Sequence, residues 1–185
     1  MLHPDWLCPA RPVDGLHVVR AEVPSPDLNR FFYTAVGADW WWTDRLEWTD
    51  ERWLAHLDRP QVETWVGYVS GTPVGYFELE GPPPRGDKAD ARGDVEIAYF
   101  GLLPQFVGRG IGGALLTAAV QRAWTLAGEA RAPGSSEPAA AAGRVWLHTC
   151  SLDSPRALAN YRARGFRLDR TETQRQTLPH HGAPR

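Results

Sequence analysis

Short apolar runs with strand-like spacing fill most of the first hundred positions, and one long run with helical spacing follows them. Leu16 to Val23 reads as a first strand, preceded by a Pro- and Gly-bearing arm over residues 1–15. Ser25 followed by Pro26 marks a helix start, because serine caps free N–H groups and proline suits the first helical position. That helix extends to about Gly37. A second helix runs from Thr49 or Asp50 to about Leu57 and is stopped by Pro60. Val62–Val69 and Pro73–Leu79 flank Ser70-Gly71-Thr72, a hairpin signal. After a polar loop over residues 82–93, Asp94 to about Leu102 reads as a strand. Strict alternation puts Val95, Ile97 and Tyr99 on one face and Glu96, Ala98 and Phe100 on the other.

The helical run spans about Gly110 to Ala127, with Thr117, Gln121 and Thr125 as a polar stripe and Ile111, Leu115, Leu116, Ala119 and Val120 directed inward. Residues 128–143 are rich in Ala, Gly and Pro and read as a mobile surface insertion. A strand is expected at Val145–Cys150, then a helix capped by Ser154, with Pro155 at its first position and Gly165 at its end. A last strand is expected at Phe166–Glu172, ahead of a tail over residues 179–185. The order β-α-α-β-β-β-α-β-α-β predicts a mixed-sheet α/β fold in a single domain over residues 16–178.

Four glycines, Gly108, Gly110, Gly112 and Gly113, stand where the strand ending near Leu102 hands over to the long helix. Backbone N–H groups without obstructing Cβ atoms, ending on a helix N-terminus, form a site for a phosphate-like anion. The cradle predicted here comprises Val107, Gly108, Arg109, Gly110, Ile111, Gly112 and Gly113, aided by the helix dipole and the Arg109 guanidinium. A tight turn without a ligand, with Arg109 as a solvated loop residue, is the plainer reading. No Gly-Lys-Ser/Thr ending is present, so nothing is placed for a β/γ-phosphate or magnesium. The glycines half-match the dinucleotide fingerprint, but the acid expected downstream would fall in the Ala/Gly/Pro-rich stretch.

Composition narrows the function classes. The 185 residues are 43% hydrophobic and 23% charged, the profile of one soluble globular domain. A net charge of −2 carries no basic footprint for nucleic acid. Two cysteines, Cys8 and Cys150, form neither a disulfide framework nor a zinc site, so a cytoplasmic protein with free thiols and no metal is expected. No apolar run is long enough to span a membrane, and residues 1–12 lack a signal-peptide pattern.

The stretch LLPQFVGRGIGGALL, residues 102–116, resembles motif A of the GNAT N-acetyltransferase superfamily, written Gln/Arg-x-x-Gly-x-Gly/Ala. Ala157, Tyr161, Gly165 and Phe166 fall at the spacing of that family's C-terminal helix, Ala-x-x-x-Tyr-x-x-x-Gly-Phe. Together the two elements cover roughly residues 94–170. Val107 stands where the family usually has Gln or Arg, and Ser154, beside Asp153, replaces the Asn that commonly opens the helix.

The resemblance implies an N-acetyltransferase with acetyl-CoA as cosubstrate, direct attack by a primary amine of a small molecule or peptide, and a possible homodimer. Phe100 and Leu102 match strand positions whose N–H groups face the cofactor, and Ser154 joins the cofactor-binding set. Glu96, eleven positions before Val107, resembles the catalytic glutamate of histone-acetyltransferase-like members. His148 is the alternative base, at a position where other members place a strand glutamate, and a water-mediated route is a third option. Tyr161 is the proton donor for the departing thiolate, or a core residue. Trp40, Trp41, Trp42, Trp48 and Trp53 fall in the acceptor region, as an aromatic surface or as packing between short helices. A degenerate acyl-CoA-binding sensor of the same fold is the competing class.

Overall fold

A five-stranded sheet carries the chain in the order β1 (Leu16–Arg20), β2 (Val62–Val69), β3 (Thr72–Glu80), β4 (Val95–Leu102), β5 (Val145–Trp146). The computed structural model describes residues 1–82, 93–129 and 143–173. Strands β1 to β4 pair antiparallel and β5 lies parallel to β4. Two helices, α1 (Pro26–Gly37) and α2 (Asp50–Leu57), cover one face, while α3 (Ile111–Glu129) and α4 (Ala157–Ala163) cover the other.

Local chemistry sets the element ends. Ser25 Oγ accepts from the Leu28 N–H at 3.3 Å with Pro26 following, and Thr49 Oγ1 accepts from Arg52 at 3.3 Å. The β2–β3 turn holds Ser70 at φ 50 and Gly71 at φ 79, the pair of left-handed residues that a two-residue hairpin loop needs. Much of the polar loop expected at 82–93 and of the insertion expected at 128–143 lies outside the described residues.

The alternation read along β4 fails in its middle. Glu78 pairs with Tyr99 but the next residue, Leu79, pairs with Ile97, so Ala98 is an extra residue that bulges from the ladder. Side chains beyond the bulge change face. Val95 and Ile97 share the α3 side with Phe100 and Leu102, whereas Tyr99 packs against Trp42 and Tyr33 on the α1–α2 side. The face sets expected from strict alternation are therefore wrong beyond Ala98.

Two further expectations are corrected at the far edge. β5 pairs with β4 over Val145 and Trp146 alone, and residues 147–150 leave the ladder. No strand forms at Phe166–Glu172. At Val145 the outer edge of β5 is already occupied: the Met1 amino group donates to the Val145 carbonyl at 2.7 Å and Val145 N–H donates to the Met1 carbonyl at 3.1 Å. Residues 166–173 attach through the Phe166 N–H, which donates to the Tyr161 carbonyl at 3.1 Å, and through side chains, with Asp169 ion-paired to Arg144 and Arg167 stacked on Trp6. The arm also packs: Met1, Trp6 and Leu7 join the α3-side core, and Ala10 N–H donates to Thr117 Oγ1. Thr117 is buried there, so the exposed stripe of α3 keeps only Gln121 and Thr125.

Candidate active site

Helix α3 opens on Ile111, Gly112, Gly113 and Ala114, with no acidic residue in its first turn and Gly110, which has no side chain to cap it, immediately ahead. A helix end of this kind leaves N–H groups and a partial positive charge turned toward solvent. Gly108 and Gly110 sit at φ 86 and 81, conformations in which a side chain is strained. The Val107 N–H, expected in the cradle, donates to the Pro104 carbonyl at 3.2 Å and closes a single 3-10 turn over Pro104–Phe106. The N–H groups open to an anion therefore begin at Gly108. Arg109 stacks on Phe106 at 5.4 Å and pairs with no carboxylate among the described residues.

Ser154 does not cap α4. Its Oγ accepts from Arg156 N–H at 3.3 Å and its carbonyl accepts from Ala157 at 2.8 Å, forming a turn ahead of the helix, whose cap residue is Arg156.

Because β5 stops pairing after Trp146, the β4 edge beyond Glu96 has no strand partner on that side among the described residues. The sheet splits open here, with Phe100 and Leu102 on the α3 side of the gap. Leu102 reaches the first turn of α3, its Cδ1 3.5 Å from the point a Gly112 Cβ would occupy.

The two candidate bases, read from sequence as alternatives, meet in space. His148 Nδ1 lies 2.8 Å from Glu96 Oε1. The hydrogen bond to Glu96 raises the imidazole above its ordinary value, with the charges of Glu96, Asp153 and Asp44 acting in the same direction. With Nδ1 turned to the carboxylate, Nε2 is the nitrogen left to take a proton. His148 is exposed and Glu96 half-buried.

Tyr161 is 8% exposed, its ring edge-on to Phe100 and Phe166 at 6.3 Å each. Its hydroxyl makes no hydrogen bond among the described residues. Burial, then the charge of Asp153, pushes its pKa up, so the phenol stays protonated. The charge of Asp153 bears on both groups, raising the pKa of Tyr161 and of His148 alike. Cys150 is exposed and its Sγ accepts from Leu152 N–H, as befits a bystander thiol.

On the α1–α2 face, sequence reasoning missed a polar network. Asp44 accepts from Tyr33 at 2.8 Å and from Tyr99. Beneath it Glu78, 1% exposed, accepts from Arg45 at 3.0 Å, lies 2.9 Å from His56 Nε2 and receives a longer contact from Asn29. Arg59 donates to His56 Nδ1 at 2.7 Å, so Nε2 carries the hydrogen that meets Glu78. Burial alone would raise the Glu78 carboxyl, but the bond from His56 and the charge of Arg45 outweigh it and hold it below the usual range. The Arg45 guanidinium lies over the rings of Tyr99 at 4.3 Å and Trp48 at 4.6 Å. Most of the tryptophans pack: Trp53 is buried, and Trp42 and Trp48 bridge α1, α2 and β4. Only a charged residue between two apolar ones marked Glu78 in the sequence, and nothing local linked it to Arg45.

Among solved structures, an aminoglycoside acetyltransferase from an uncultured soil metagenomic sample matches with TM-score 0.60 at 17% identity, over 89% of this chain and 97% of that one. A transcriptional regulator from Bacillus halodurans matches with TM-score 0.58 at 16% identity, over 87% and 100%. A ribosomal-protein-alanine N-acetyltransferase from Brucella melitensis matches with TM-score 0.52 at 14% identity, over 88% and 99%. At these identities the likeness establishes the fold. No curated protein matches the sequence. The family model for the acetyltransferase (GNAT) family matches residues 27–132. With an uncapped helix behind a glycine loop, a sheet split beside it and more than half the chain under that family model, this protein belongs to the GNAT acetyltransferases, a family that uses acetyl-CoA.

Proposed function

We propose that the chain transfers the acetyl group of acetyl-CoA directly to a primary amine. The observation that carries this reading is the bare α3 N-terminus behind left-handed Gly108 and Gly110, set beside a sheet opening flanked by the Glu96–His148 pair. N–H groups from Gly108 to Gly113 hold the pyrophosphate, and the free edge of β4 near Phe100 and Leu102 supplies N–H donors to the acyl oxygen as it gains negative charge. His148 Nε2 takes the proton of the incoming ammonium, while Glu96 orients the ring and stabilises its charged form. Tyr161 donates a hydrogen bond to the departing sulfur. The carboxylates of Asp44, Glu96 and Asp153 acting at this face favour a cationic acceptor.

Calorimetry with acetyl-CoA, followed by thiol release across an amine panel, tests the reading. The names of the similar structures suggest that aminoglycosides and peptides with an amino-terminal alanine belong in that panel. Micromolar binding with amine-dependent turnover is expected. Binding without turnover on any amine would favour a sensor of the same fold, and no binding would end the proposal.

A pH profile separates the roles of the pair. Since Glu96 raises the His148 pKa, kcat/KM should rise with pH through a value above 6.5, the ordinary value for histidine. Glu96→Gln removes the charge that favours the imidazolium, so the acid limb should move to lower pH with activity retained in part. If Glu96→Gln abolishes turnover at every pH, Glu96 is itself the base and the assignment reverses.

A further inference from the structure

We propose that α4 supplies a second wall of the phosphate site, with Arg156 and Arg164 as ligands of acyl-CoA phosphate oxygens and Asn160 as the spacer between them. Arg156, Asn160 and Arg164 follow one another at intervals of four, so they share one face of α4 and its cap. That face meets the glycine loop. A Cβ on Gly108 would lie 3.3 Å from Arg156 Nη1, and one on Gly113 would lie 2.6 Å from Arg164 Nη1. Asn160 Nδ2 donates to the Gly112 carbonyl at 3.4 Å, tying the two elements together.

The electrostatics of this arrangement point to an anion. Arg20, Arg30, Arg45, Arg59, Arg122 and Arg144 each meet a carboxylate. Arg156 and Arg164 meet none among the described residues, and the buried Arg164 Nε has no hydrogen-bond partner there. Both guanidiniums stand at the N-terminal end of α3, where the helix dipole already concentrates positive charge. Cations at that end repel the dipole and one another unless an anion joins them. A phosphate answers all three, accepting from the main-chain N–H groups and from planar guanidinium donors together. The inference rests on the acyl-CoA reading and adds side chains that neither the glycine motif nor the C-terminal helix pattern includes.

Titration of CoA and 3′-dephospho-CoA into the purified full chain tests it. Arg156→Gln carries the test, because Arg156 is exposed and its loss leaves the core intact. Its Kd for CoA should rise about tenfold or more, the scale of one charge-assisted hydrogen bond. Arg156→Lys should recover part of that loss, the acceptor KM should stay near wild type, and Arg162→Gln on the exposed side of α4 should change nothing. An Arg156→Gln effect seen with CoA and absent with 3′-dephospho-CoA assigns the residue to the 3′-phosphate. An effect equal for both ligands assigns it to the pyrophosphate. If wild type binds CoA while Arg156→Gln and a folded Arg164→Gln stay within twofold of it, the second wall is refuted and the acyl-CoA reading stands. Failure of wild type to bind CoA overturns both.

Discussion

Tyr161→Phe should lower kcat by about 100-fold while leaving the Kd for acetyl-CoA within about twofold. The substitution removes one oxygen and nothing else. The ring packs edge-on to Phe100 and Phe166, and phenylalanine makes the same contacts. The hydroxyl has no partner among the described residues, so its loss orphans no other polar group. Burial and Asp153 together disfavour the phenolate, which bears on the role itself. A buried phenol that resists ionisation serves as a hydrogen-bond donor to a departing thiolate, not as a strong acid, and such a donor acts in the transition state more than in the bound ground state. Steady-state kinetics with a saturating amine, paired with calorimetry, measure both quantities. A kcat within threefold of wild type would return Tyr161 to the core.

Glu78→Ala should cost about 3–5 kcal/mol of stability, the range for removing one partner of a buried ion pair. The side chain is enclosed on β3, and its loss leaves the Arg45 guanidinium, 7% exposed, without its carboxylate, and His56 Nε2 without its acceptor. Arg45 in turn fixes the segment that carries Asp44 and stacks on Tyr99, so the α1–α2 face loosens with it. Urea denaturation at pH 7 measures the loss, and Glu78→Gln should lose less because it keeps an acceptor oxygen. The pH dependence follows from the sign of the shift. The folded-state pKa of Glu78 is depressed, so its contribution is present above the unfolded value near 4.5 and is lost as pH falls through the folded pKa. Wild type should therefore lose stability in acid more steeply than Glu78→Gln. A loss below about 1 kcal/mol for Glu78→Ala would mean that the network is solvated and not part of the framework.

Features that depend on near neighbours were legible in the chain. Ser25-Pro26 caps the helix it was expected to cap, the second helix starts at Asp50 as read, and Ser70-Gly71 makes the hairpin turn. The glycine loop and the helix behind it also stand as expected, since Gly108 and Gly110 take a conformation that glycine alone adopts freely. The same local logic failed at Ser154, where serine and proline also start a turn that is not yet a helix.

Period-two alternation says which face a side chain takes only while the ladder is unbroken, and the extra residue at Ala98 breaks it. Nothing in VEIAYF marks that bulge, because it arises from the register with β3. The same holds for the final strand expected at Phe166–Glu172: a strand needs a free edge, and Met1 occupies the one at Val145.

The amino-acid order by itself determined the helix starts, the hairpin, the glycine loop and the residue types at the site, because each follows from torsional preference or hydrogen bonding within a few residues. Tertiary structure alone decided that Glu96 and His148, separated by 52 positions, form one unit, that Arg45 finds Glu78 beneath the aromatic wall, and that α4 brings arginines to the loop of α3. Those contacts come from sheet register and helix packing. Both are settled by burial across the whole core, which no local window of sequence contains.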